Sequence, residues 1–124
     1  MSKASKATTP ITMDFEVAED RACDLEGYTV NFVTIRQDHD LAPMLASLPG
    51  GLCHCPHWGV VTKGRLTVTY PDHTEVIEAG EAYYMPPGHT PAVEAGTEFV
   101  MFSPADLLAE TEAAIAAAMQ QAAH

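Results

Sequence analysis

Four side chains that can bind a transition metal fall within five residues of this sequence: Cys53, His54, Cys55 and His57. The whole chain contains only three cysteines and six histidines, and thiolate and imidazole groups are typical ligands of transition-metal ions. In an extended segment Cys53, Cys55 and His57 would share one face, with His54 on the other. The alternative is that the cysteines are small core residues and the histidines are hydrogen-bonded. We favour metal or thiol chemistry, because incidental packing rarely gathers ligands in this way.

Charge restricts the partners of the chain. Six basic and seventeen acidic residues among 124 give a formal charge of −11. Such a chain repels phosphate backbones and anionic lipid, so we expect no nucleic-acid or membrane partner. The acidity is best interpreted as a device for solubility.

The cysteine count and the N-terminus indicate a cytoplasmic protein. Three cysteines leave at least one unpaired in a monomer, which favours a reducing compartment. Residues 1–10 are rich in Ser, Thr and Lys without an apolar run, so we predict a flexible tail there and no secretory signal.

Short strands separated by Gly- and Pro-rich turns dominate residues 11–103, which we predict to form one barrel. Residues 11–25 are acidic and predict irregular structure with one edge strand at most. Residues 27–36 are dense in β-branched and aromatic residues and predict a strand. Asp38 or Asp40 could cap a short helical turn over residues 41–48. The remaining predicted strands cover residues 65–70, 74–78, 82–85, 91–94 and 97–102.

The C-terminal segment predicts an α-helix over residues 104–122. Ser103 is a candidate N-cap, followed by a proline suited to the first helical position. Apolar and small residues then recur at helical spacing, namely Leu107, Leu108, Thr111, Ala114, Ile115, Ala118, Met119 and Ala122. This stripe must pack on the barrel or on a second subunit.

The turn residues between 50 and 103 resemble those of the cupin superfamily. Gly64 matches the end of the first cupin motif, and Gly80, Pro86 and Gly88 match the second motif in register. The resemblance implies an all-β fold, an antiparallel cupin-type barrel (double-stranded β-helix or jelly roll), followed here by a C-terminal helix. It also implies a small single-domain protein of an uncharacterised bacterial type.

The metal ligands depart from the cupin pattern. His57 stands where the family has its glutamate, and Pro91 stands where the second motif has its histidine; His89 is the histidine nearest to that position. The usual three-His-one-Glu site therefore cannot form. The resemblance points instead to Cys53, Cys55, His57 and His89 as a metal set, with His54 as an alternative to one cysteine. Thiolates shift the preference towards zinc, with copper, nickel and iron also open.

The sequence leaves three functions open. The chain could be a metal-dependent cupin enzyme of the oxygenase, isomerase or lyase type, a non-catalytic small-molecule-binding or sensor module, or a structural protein without metal. In the first two cases a small molecule would bind in the barrel, where Phe32, Trp58, Tyr84 and Met101 are candidate pocket residues. The resemblance also implies a homodimer, in which Ile11 to Val17 could extend a partner's sheet.

Overall fold

Two antiparallel sheets form the barrel in the computed structural model, which describes residues 3–122. One sheet has six strands in the order β1-β2-β3-β10-β5-β8 and the other has four in the order β4-β9-β6-β7. The elements are β1 (Ile11–Asp14), β2 (Ala18–Leu25), β3 (Tyr28–Ile35), β4 (His39–Asp40), β5 (His57–Lys63), β6 (Arg65–Thr69), β7 (Thr74–Glu78), β8 (Ala82–Met85), β9 (Thr90–Val93), β10 (Glu98–Pro104) and α1 (Ala105–Ala122). The predicted antiparallel barrel with a C-terminal helix is confirmed.

The core lies between the two sheets because each sheet turns an apolar face inward. On β6 the side chains of Leu66 and Val68 are buried while their neighbours are not, as strict alternation requires. They pack with residues from both sheets into one cluster, whose other buried members are Ile35, Val61, Tyr70, Ile77, Tyr83, Met85 and Val93.

Residues 11–25 form a hairpin of two strands, so the prediction of irregular structure there is wrong. β2 pairs with β3 along its full length, from Ala18 opposite Ile35 to Leu25 opposite Tyr28. One of its charges is neutralised locally, since Arg21 donates a hydrogen bond to Glu19 at 2.7 Å. Ladder hydrogen bonds and ion pairs therefore outweigh the low strand propensity of the acidic residues.

The N-terminal segment has defined structure in its described part. Lys6–Thr8 forms a 3₁₀ turn, and the side chain of Thr9 is buried. Residues 1 and 2 lie outside the described range, and the flexibility of the segment stays a prediction.

A short 3₁₀ turn, Ala42–Leu45, replaces the helical turn predicted over residues 41–48. The carboxylate of Asp40 accepts a hydrogen bond from the backbone N–H of Ala42 at 2.9 Å. Asp38 instead accepts one from the N–H of Ala95 at 2.8 Å, which ties this connection to the turn before β10.

The helix α1 packs on β10, on β3 and on the Ala42–Leu45 turn. It begins at Ala105, because Ser103 and Pro104 still belong to β10. Leu108 and Thr111 face the barrel, whereas Leu107, which was placed in the same stripe, is exposed. None of the helices within residues 3–122 combines the length and the apolar character needed to cross a bilayer.

Candidate metal centre

Cys53, His57 and His89 converge inside the barrel. One ligand atom from each lies within 4.8 Å of those of the other two. All three side chains are buried, with exposed fractions of 2%, 5% and 1% respectively. Of the four ligands predicted from the sequence, the structure brings these three together.

Backbone pairing brings the two distant parts of this cluster together. Cys53 and His89 form an isolated antiparallel bridge, in which the N–H of Cys53 donates to the carbonyl of His89 at 2.9 Å. The N–H of Gly88 donates to the carbonyl of Cys53 at 2.8 Å. Gly88 has φ +95°, a conformation that glycine adopts without steric cost. The turn over residues 86–88 therefore places His89 beside Cys53.

Outer hydrogen bonds set the orientation of both imidazoles. Nδ1 of His89 donates to the carbonyl of Pro86 at 2.7 Å, which leaves the lone pair on Nε2. Nδ1 of His57 lies 2.7 Å from the hydroxyl oxygen of Ser103, and its Nε2 lies 3.6 Å from the sulfur of Cys53. When Nδ1–H of His57 donates to Ser103, Nε2 is likewise free to act as a ligand. Such outer partners are what fixes the tautomer of metal-binding histidines.

Burial keeps both imidazoles neutral. It lowers the pKa of His57 to about 3, with a further contribution from His89. Burial also lowers the pKa of His89. At neutral pH both rings therefore carry a lone pair, which is the form that binds a metal.

The three residues fit a divalent transition metal. With Zn–S near 2.3 Å and Zn–N near 2.0 Å, tetrahedral ligand atoms stand roughly 3.5 Å apart. The separation of 3.6 Å between Sγ of Cys53 and Nε2 of His57 meets this value. The hydroxyl oxygen of Thr111, on α1, lies 3.4 Å from the same sulfur and would stabilise a thiolate by donating to it.

Cys55 and His54 lie outside this cluster. The chain bends at residue 55 and β5 begins only at His57, so the alternation expected of an extended segment does not apply. Cys55 packs with Leu45 and Leu108, and burial raises the pKa of its thiol to about 12, with Cys53 adding to the effect. His54 is exposed and bonded to the carbonyl of Pro49 at 2.7 Å.

A cavity of about 180 Å³ opens onto the cluster. Its walls are mostly aliphatic, thioether and aromatic side chains from both sheets and from α1, including Val33, Leu41, Met44, Met85, Phe99, Met101, Leu108, Ile115 and Met119. A small, largely apolar molecule is what such a lining accommodates.

The predicted pocket residues divide between the two faces of the sheet. Met101 lines the cavity. Trp58 and Tyr84 lie on the outer face with exposed fractions of 41% and 48%, because each neighbours an inward side chain in its strand, His57 and Met85 respectively. Phe32 also turns away, since Asn31 beside it lines the cavity and side chains alternate along a strand.

Several polar residues around the cavity were not anticipated from the sequence: Asp20, Asn31, Ser103, Thr111 and Glu112. Two of them left a signal. Asn31 occupies an inward position two residues before Val33, and Glu112 sits four residues after Leu108 in the apolar stripe of α1. A polar residue at an apolar position of a periodic pattern indicates a polar group in the interior.

Comparison with known proteins supports the fold. No protein-family model matches the sequence, and no curated protein does. A protein of unknown function from Rhizobium leguminosarum has a similar structure, with TM-score 0.61 and 20% identity over 83% of this chain and 95% of that one. The polyketide cyclase RemF from Streptomyces resistomycificus has a TM-score of 0.58 and 15% identity, over 84% of this chain and 79% of that one. An RmlC-like cupin from Shewanella frigidimarina has a TM-score of 0.56 and 14% identity, over 82% of this chain and 88% of that one.

At such low identities the likeness concerns the fold and not the activity. It agrees with the two antiparallel sheets, and with the turn residues Gly64, Gly80, Pro86 and Gly88 on which the resemblance rested. The chain is therefore a small domain with the cupin fold.

Proposed function

We propose that this domain is a metalloprotein that acts on a small molecule, with a divalent transition metal held by Cys53, His57 and His89. Zinc is the first candidate, and copper, nickel or iron are alternatives. One observation carries the proposal: three buried ligand side chains, one of them from the turn before β9, meet at the wall of an apolar cavity. Three protein ligands are typical of catalytic sites, whereas structural zinc sites usually have four.

The chain's own residues prepare the site in three ways. Ser103 and the carbonyl of Pro86 orient the two imidazoles, and Thr111 lies beside the sulfur of Cys53. The cavity walls keep bulk water from the cluster and receive the apolar body of the ligand. When bound, a metal of this type supplies Lewis-acid chemistry, polarising a substrate oxygen or lowering the pKa of a bound water.

The metal is tested by titrating untagged, EDTA-treated protein with Zn²⁺ and by measuring the metal content of the purified protein. We expect one equivalent to bind at micromolar concentration. His57→Ala and Cys53→Ser should each weaken binding by at least tenfold, because each removes a ligand. His54→Ala and Cys55→Ser are the matched controls, since both residues are neighbours in sequence outside the cluster. The proposal fails if the parent binds no transition metal, or if all four variants bind equally.

A second candidate function is non-catalytic binding of the same small molecule. The apolar walls and the cover provided by α1 favour retention of a ligand. Native mass spectrometry of the purified protein separates the two functions. A stoichiometric ligand recovered unchanged supports binding, whereas turnover in assays across compound classes supports catalysis.

The assembly we propose is a homodimer formed through β1. This strand lies at the edge of the six-stranded sheet, with Ile11 exposed, and a free edge can pair with a second chain. Sedimentation velocity at micromolar concentration should show a dimer. A monomer under these conditions would refute the assembly.

We also propose a reducing, cytoplasmic setting. All three cysteines are free thiols in the structure, and a thiolate at Cys53 is required for the proposed ligand set. Capping the thiols with methyl methanethiosulfonate, which forms a mixed disulfide with a single cysteine, should therefore abolish Zn²⁺ binding, and dithiothreitol should restore it. Undiminished binding after complete capping would count against a role for Cys53.

A further inference from the structure

A second polar group lies in the cavity wall, formed by Asp20, Asn31 and Glu112. Asn31 is 1% exposed, and its Nδ2 donates to both carboxylate oxygens of Asp20, each at 3.0 Å. These bonds fix the amide orientation, because the opposite one would set oxygen against oxygen. They leave Oδ1 of Asn31 buried without a hydrogen-bond partner among residues 3–122. Buried polar atoms of native proteins are rarely left in this state.

Glu112 reaches the same region from α1. Within the described part of the chain its carboxylate takes part in no ion pair. Asp20 and Glu112 both line the cavity. Burial raises the pKa of Glu112, and the charges of Asp20 and Asp24 raise it further. The pKa of Asp20 is also raised by burial, against the hydrogen bond from Asn31.

The wall formed by these residues is acidic and rich in acceptors. No Lys or Arg of residues 3–122 lines the cavity. The guanidinium of Arg21, on the neighbouring position of β2, is bonded to Glu19 and to the carbonyl of Thr9 on the other side of the sheet. A group that donates several hydrogen bonds and carries positive charge is the complement of this wall.

We propose that Asp20, Asn31 and Glu112 form a recognition subsite for the protonated amino group of a small amine, whose apolar body fills the cavity. The cavity is large enough for one ring or a short chain. An apolar cavity of about 150 Å³ holds a benzene molecule, and this cavity measures about 180 Å³. The inference rests on the proposed function insofar as the amine is the substrate class of the metal site. The subsite itself uses none of the metal ligands.

The test is calorimetric titration of EDTA-treated protein with benzylamine, benzyl alcohol and benzoate at pH 7. These probes share a ring and differ in their polar group. We expect benzylamine to bind at least tenfold more tightly than benzyl alcohol, and benzoate to bind least. The proposal is overturned if benzylamine does not bind, or if the alcohol or the carboxylate binds as tightly.

Variants locate the binding within the cavity. Glu112→Gln should weaken benzylamine binding by roughly tenfold or more, whereas Glu110→Gln removes the same charge from an exposed position of the same helix and should leave it unchanged. Asn31→Leu keeps the side-chain size, removes the acceptor, and should abolish the preference for the amine over the alcohol. Equal effects of Glu112→Gln and Glu110→Gln would show that only general electrostatics act.

The outcomes of this test and of the metal test are distinguishable. EDTA-treated parent protein should bind benzylamine although it holds no Zn²⁺, because the subsite uses none of the metal ligands. Benzylamine binding in a protein that binds no metal would sustain the subsite and refute the metal centre. Zn²⁺ binding without any preference for the amine would do the reverse.

Discussion

At the scale of single residues, His57 shows how a buried polar side chain is prepared for a ligand. One ring nitrogen is bonded to Ser103 and the other faces the sulfur of Cys53. Burial lowers the pKa of His57 to about 3, so the ring stays neutral wherever the domain is folded. The same burial makes the protein sensitive to acid.

Metal-free protein should lose stability as the pH falls below the unfolded-state histidine pKa of about 6.5. The sign follows because the folded state holds His57 unprotonated while the unfolded chain takes up the proton, so unfolding is favoured increasingly until the folded pKa is reached. The free energy of unfolding should fall by up to about 1.4 kcal/mol per pH unit for each such histidine.

Urea denaturation between pH 7 and pH 4.5 measures this loss, and His57→Gln serves as the comparison. The variant should have a shallower dependence, since His89 alone would remain. Asp20 and Glu112, whose raised pKa values act in the opposite direction, contribute equally to both proteins. Parallel curves for parent and variant would contradict the assignment.

Gly59 is required on β5 for steric reasons. A Cβ at this position would overlap the carbonyl oxygen of Val100 and the phenol of Tyr83. Tyr83 fills the space beside the glycine and donates to that carbonyl at 3.3 Å. Because a backbone atom cannot easily retreat within a ladder, Gly59→Ala should cost about 3 kcal/mol or more.

Gly96→Ala is the matched control for Gly59→Ala. Gly96 has φ +89° and no atom near its prospective Cβ, so only conformational strain of about 1–2 kcal/mol is expected. Denaturant midpoints compare the two. A smaller loss of stability in Gly59→Ala than in Gly96→Ala would show that the pairing of β5 with β10 adjusts to the added methyl group.

At the scale of elements, α1 has two roles. Leu108, Ile115 and Met119 form part of the cavity wall, and Thr111 contacts Cys53 at 3.4 Å. The helix therefore covers the cavity and also contacts one of the candidate metal ligands. The sequence predicted the helix but none of its chemistry.

Leu108→Ala should destabilise the domain by about 2–5 kcal/mol, because it removes a buried side chain from a packed cluster. Leu107→Ala, one position earlier, should change stability by no more than about 0.5 kcal/mol. The two leucines have exposed fractions of 3% and 47%, so the pair isolates packing from helix propensity. Similar losses in urea denaturation would mean that α1 does not pack as described.

At the scale of the whole molecule, the candidate metal centre is a product of the closed barrel. Its ligands come from the loop before β5, from β5 itself and from the turn before β9. An unfolded chain does not hold these groups together, so metal binding and global folding are linked.

Zn²⁺ at about one hundred times its dissociation constant should raise the free energy of unfolding by about 2.7 kcal/mol. His54→Ala should respond like the parent, whereas Cys53→Ser should respond much less. Thermal melts with and without Zn²⁺ measure the shift. Equal shifts in Cys53→Ser and the parent would point to binding elsewhere on the chain.

The fold was predictable because its signals are local. Gly64, Gly80 and Gly88 all adopt positive φ, a conformation that glycine reaches without steric cost because it has no Cβ. The spacing of such turns and the Ala-rich helical pattern depend on neighbouring residues, so both could be interpreted from the sequence. The presence of thiol and imidazole groups near His57 was equally a local fact.

Tertiary structure decided which of these groups meet. Cys55 is excluded by a bend at its own position, and His89 is included by a backbone bridge to Cys53, although the two are far apart in sequence. Trp58 and Tyr84 face outward because the second sheet covers the opposite face of β5 and β8, and which face is covered is not visible in the sequence of either strand. Asp20, in a stretch that predicted irregular structure, lines the cavity because β2 pairs in register with β3. Local preferences determine turns and helices, whereas distances between residues far apart in sequence are set only by packing the sheets into a closed core.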